Sequence, residues 1–138
     1  ENKELVRRSN EELWGDGNLD IIDEYVSEDY DEYNSAYPES IRGREGYREN
    51  VALVRAAFPD MSVATEDLIA EGDKVVTRYT ITGTHEGPLM GIEPTGNEVE
   101  FEGISIGRLE DGQVVQGWSN IDMFGAMQKL GVLELPGE

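Results

Sequence analysis

The chain has 138 residues, with 30 Asp or Glu against 11 Lys or Arg for a formal charge of −19, one histidine and no cysteine. Its length fits a single domain over residues 1–138, able to bury about two thirds of its unfolded surface without cross-links. A disulfide scaffold and a thiolate nucleophile are excluded, a zinc ligand set is not expected, and the negative field disfavours nucleic acid and anionic membranes as partners.

The carboxylates are spread along the whole chain rather than gathered in a tail, which makes the charge a property of the surface. With 38% apolar residues and periodic segments the sequence reads as folded, not disordered. An acidic coat with few lysines suits a salt-rich cytoplasm, where counterions screen self-repulsion within about 3 Å at molar salt. The expected result is a melting point that rises between low and molar salt; an unchanged circular dichroism spectrum and melting point exclude this adaptation. No apolar run approaches the ~20 residues of a bilayer span, and the charged start Glu1–Trp14 does not read as a signal peptide. A cytoplasmic location is therefore expected.

Leu5, Val6, Ser9, Leu13 and Trp14 fall near helical spacing until Gly15-Asp16-Gly17 breaks the pattern. Asn18 is placed to cap a second short helix carrying Leu19, Ile21, Ile22, Tyr25 and Val26. The run Asp16 to Asp20 only superficially resembles a calcium loop, because Ile21 stands where glycine is needed. Ser27 to Ser40 is aromatic and acidic without helical periodicity and reads as a short strand or irregular segment. Within it Tyr33 and Asn34 offer polar groups to a ligand, or pack at an edge.

Gly43 precedes a third helix with Tyr47, Val51, Val54, Ala57 and Phe58, stopped by Pro59. From Met61 the period changes to strands: Ser62 to Ala70, Lys74 to His85, then a Gly/Pro-rich loop, Glu98 to Leu109, and a strand opened by the Asp111-Gly112 hairpin pair. A short apolar helix ends the pattern at Gly131. Helices followed by long strands predict an α+β fold, and the glycines at 83, 103 and 107 suit a strongly bent sheet able to enclose a pocket.

Strict alternation along the last strand puts Val114, Gln116, Trp118, Asn120 and Asp122 on one face. Asp122 beside Trp118 then reads either as a buried acid, its pKa raised by desolvation, or as the cap of the helix that follows; the two roles are compatible. Arg78 sits mid-strand, facing the pocket or paired outside, and His85 ends its strand in a rim or structural position.

Several segments in this order resemble the SnoaL-like polyketide cyclase family, within the group that shares the nuclear transport factor 2 fold. They are Arg55-Ala-Ala-Phe-Pro-Asp60, Glu71-Gly-Asp-Lys-Val-Val-Thr-Arg78, Gly83-Thr-His-Glu-Gly87, Gly91-Ile-Glu-Pro-Thr-Gly96, and Trp118 with Asp122 before Gln128-Lys-Leu-Gly131. The resemblance implies a cone formed by a curved antiparallel or mixed sheet packed on three N-terminal helices, with a short C-terminal helix. It also implies a homodimer or higher homo-oligomer and an apolar cavity. It makes Asp122 the general acid/base of a cofactor-independent, metal-free aldol ring closure. Tyr33 takes the place where many relatives carry histidine. Tyr33, Asn34, Arg78, His85, Trp118 and Asn120 are then the candidates to contact a small apolar carbonyl compound. The competing reading is a non-catalytic ligand-binding or dimerisation module on the same fold.

Overall fold

The computed structural model describes residues 2–132, so residues 1 and 133–138 of the single expected domain lie outside the described residues. Helix α1 (Asn2–Arg8) passes into a π-helix, Ser9–Gly15, which buries Ser9 and Leu13. Gly17 at φ 76 ends it, and the Arg55 guanidinium caps it by donating to the Trp14 and Gly15 carbonyls at 3.2 and 2.8 Å. Asn18 accepts from Asp20 N–H and starts a short 3-10 turn, Leu19–Ile21, that continues as α2 (Ile22–Tyr25).

The first strand, β1 (Val26–Asn34), is followed by the two-residue β2 (Ile41–Arg42) and by α3 (Gly43–Ala57), which buries Tyr47, Val51 and Ala57. Then come β3 (Ser62–Glu71), β4 (Lys74–Thr84), β5 (Glu98–Glu110), β6 (Gln113–Ile121) and α4 (Met123–Leu130). The four late strands form an antiparallel meander, and β1 adds to β6 in parallel, giving a mixed six-stranded sheet in the order β2-β1-β6-β5-β4-β3. The aromatic-acidic segment Ser27 to Ser40 is thus a strand of the sheet as far as Asn34 and irregular from there to Ser40.

Asp111 and Gly112 close the β5–β6 hairpin at φ 51 and 80, the left-handed pair that matches the strand twist. Beyond it Arg108 faces Gln116 while Leu109 faces Val114, so Val115 is an extra, bulged residue. That bulge reverses the inside–outside alternation for the rest of β6. Helices and the inner sheet face share two apolar clusters, one around Leu13, Ile22, Val26 and Val51, the other around Phe58, Ile81, Phe101 and Leu130. Among the described residues no helix is long and apolar enough to cross a membrane.

Candidate active site

Side chains alternate along β1, so Tyr30, Glu32 and Asn34 point inward together and are buried, while Tyr33 between them is 59% exposed on the outer face. Glu32 is only 6% exposed. Its Oε1 accepts from the Tyr30 hydroxyl at 2.6 Å and its Oε2 from Asn34 Nδ2 at 3.0 Å. The Asn34 amide has no freedom to flip, because its Oδ1 accepts the Ala36 N–H at 2.9 Å. Tyr30 is held from the other side by the edge of Tyr47, with ring centroids 5.2 Å apart.

These groups form one wall of a cavity of about 150 Å3 between the inner sheet face and the helices. Trp14, Phe58, Val63, Ile81 and Phe101 supply much of its apolar surface, and Leu89 and Met90 of the β4–β5 loop complete it. Glu32 is the only charged side chain among the described residues lining it. Burial, with the Glu32 charge as a further contribution, pushes the Tyr30 and Tyr47 hydroxyls well above the ordinary tyrosine range. Burial, then Glu32, raises Tyr79 to about 12. These phenols stay protonated at neutral pH; the Tyr30 hydroxyl donates to Glu32, and the Tyr47 hydroxyl accepts the Trp14 indole N–H at 3.3 Å.

Of the sequence candidates, Asn34 lies in this wall. The others stand elsewhere, for identifiable reasons. Because of the Val115 bulge, Gly117, Ser119 and Ile121 line the cavity, and Trp118 and Asn120 fall on the opposite face. There Trp118 pairs across the strands with Tyr33 and lies under the Lys74 ammonium, 5.8 Å from the ring centroid. Arg78 is also outside, bound to Asp67 at 2.7 Å and Glu102 at 3.4 Å. Asp122 is exposed rather than buried, and its Oδ1 accepts the Gly125 N–H at 2.9 Å as the cap of α4. Its neighbours Ile121 and Met123 line the cavity, and Asp122 between them does not.

His85 is fully buried, not on a rim. Its ring packs 5.7 Å from that of Phe58, and its Nδ1 accepts the Thr95 N–H at 3.2 Å. Together with the His85 N–H to Asn97 carbonyl bond, this ties both ends of the loop that carries Leu89 and Met90. The residue missed from sequence was Glu32. Its signal was the alternation Tyr30-x-Glu32-x-Asn34, since two adjacent strand residues such as Tyr33 and Asn34 cannot face one pocket.

The fold and this enclosed site agree with what the sequence matches. Residues 4–130 match the SnoaL-like polyketide cyclase family. The chain belongs to that family. As a SnoaL-like protein it is 30% identical over 118 residues to the nogalonic acid methyl ester cyclase of Streptomyces nogalater, covering 83% of this chain and 87% of that relative. It is 29% identical over 121 residues to the aklanonic acid methyl ester cyclase of Streptomyces galilaeus, covering 87% and 84%. Among solved structures, a SnoaL-like protein from Jannaschia sp. CCS1 superposes with a TM-score of 0.87 at 28% identity, covering 96% of this chain and 93% of that one.

The family segments in this SnoaL-like chain are largely scaffold. Arg55 caps the π-helix, and Asp60 accepts the Thr84 N–H and hydroxyl at 2.7 and 2.8 Å. Those two bonds from Thr84, the backbone one first, hold the Asp60 carboxyl below the usual range. Gly87 lies so close to the end of α3 that a Cβ there would meet the Ala56 carbonyl oxygen at 2.2 Å.

Proposed function

We propose that this protein closes a ring in a small, largely apolar polyketide carbonyl compound by intramolecular aldol addition, using side chains as acid and base and no metal or organic cofactor. The observation that carries this reading is an aromatic-walled cavity whose one charged lining side chain among the described residues, Glu32, accepts from the Tyr30 hydroxyl and the Asn34 amide. Apolar walls exclude water from a reactive enolate, and phenol or amide donors stabilise the charge that develops on a carbonyl oxygen. A volume of about 150 Å3 suits a single six-membered ring, so a polycyclic substrate would seat its closing ring inside and leave the remainder at the mouth. Asp122, the acid/base that the resemblance implies, lies beside this cavity and uses one oxygen to cap α4.

Aklanonic and nogalonic acid methyl esters, the compounds after which two relatives are named, are the first substrates to offer. Ring closure by this route neither adds nor removes atoms, so the expected product has the mass of the substrate and a new retention time. Saturable binding of both esters with no isomer formed over hours would instead establish the binding-module reading.

A further inference from the structure

We infer that Glu32 is the carboxylate that moves the proton in this cavity, with Tyr30 and Asn34 as the residues that position it. The inference rests on the cyclase reading and names the group that performs its chemistry. Glu32 is a charged side chain taken out of water with two neutral donors, and no ion pair to it exists among the described residues. A wall that served packing alone would be filled more favourably by an apolar or amide side chain. The surrounding chain also makes specific room for the pair. Gly117 lies where a Cβ would meet the Tyr30 oxygen at 2.4 Å and Glu32 Cγ at 3.6 Å, so the strand opposite is bare at the point where the phenol and carboxylate meet. Each Glu32 oxygen accepts one hydrogen bond from the protein, which leaves each with a further acceptor position for substrate.

The step balances without another reactant. Glu32 takes a proton from the carbon between two substrate carbonyls, and the C–H electron pair becomes the enolate. The enolate carbon forms the new C–C bond to the acceptor carbonyl carbon as that C=O π pair moves onto oxygen. Glu32 returns its proton to the resulting alkoxide, so the carboxylate is regenerated.

The test compares wild type, Glu32→Gln and Asp122→Asn with aklanonic and nogalonic acid methyl esters in deuterium oxide, following isomer formation and deuterium uptake at the acidic carbon. Glu32→Gln is expected to lower both by a hundredfold or more while melting near wild type. Glu32→Ala with added formate is a second readout that a structural role would not move, because a small carboxylate entering the vacated space should restore exchange. Glu32→Gln within tenfold of wild type, or no formate rescue in a folded Glu32→Ala, overturns the inference. Loss of turnover in Asp122→Asn with turnover retained in Glu32→Gln overturns it too, and leaves the cyclase reading standing on Asp122. Neither product nor exchange with wild type overturns the cyclase reading, and this inference with it.

Discussion

Gly117→Ala is expected to cost about 1–3 kcal/mol of stability, a fall of roughly 3–10 °C in melting temperature for a chain of this size. It should depress ring closure nearly as far as Glu32→Gln does. The new methyl would stand 2.4 Å from the Tyr30 oxygen and 3.3 Å from its Cζ, well inside van der Waals contact. Tyr30 has nowhere to retreat, because Tyr47 meets it edge-on and both rings are buried. Either β6 shifts or the 2.6 Å bond from Tyr30 to Glu32 breaks, and the carboxylate loses the donor that fixes it. Calorimetry and the isomerisation assay together check this. A variant that melts within about 1 °C of the parent would mean that the strand yields easily, and that the close approach is not a constraint.

Alkaline unfolding should be abrupt. Tyr25, Tyr30, Tyr47 and Tyr79 all have hydroxyls raised above 10.0, chiefly by burial, with Tyr79 at about 12. A raised folded-state value favours the native chain fully below pH 10 and loses that contribution as pH climbs toward the folded value, because only the unfolded chain ionises freely in between. Tyr79 alone then gives up about 2 kcal/mol between pH 10 and 12, and the four together lose at most roughly 5 kcal/mol per pH unit. Against a total stability of about 5–15 kcal/mol, the fold should fail before pH 12. Tyrosinate absorbance and loss of far-UV circular dichroism are expected to rise in one steep, coincident transition. A gradual titration centred near 10 with the dichroism intact would show that these hydroxyls reach water in the native state.

The sequence made the architecture readable because its punctuation is local. Gly15-Asp16-Gly17, Pro59, Asp111-Gly112 and Gly131 each stop or turn the chain by their own backbone preferences, and the strands between them keep a period of two. The site was harder to read, because whether a strand residue faces the cavity depends on counting without error. One bulged residue, Val115, was enough to carry Trp118 and Asn120 to the other side of the sheet. Asp122 was legible in one of its two roles, as the helix cap. The residues that make the resemblance recognisable, such as Arg55, Asp60 and His85, bond backbone or seat loops. Cavity-wall residues such as Glu32, Tyr47 and Tyr79 are scattered over β1, α3 and β4, and no short motif contains them.

The π-helix at Ser9–Gly15 ties the facing of the first turns to the number of residues in this segment. Such a segment is an α-helix holding one residue too many, so deleting a residue from it would restore regular winding. The deletion would also turn everything before it by about 100°. Val6, now buried in the core, would swing toward solvent, and Leu5 would be carried into its place. A relative one residue shorter in this helix should therefore show a compensating shift in the apolar stripe of its first turns. Trp14, near the C-terminal end of that segment and anchored to Tyr47 at 3.3 Å, would keep its place in the cavity wall.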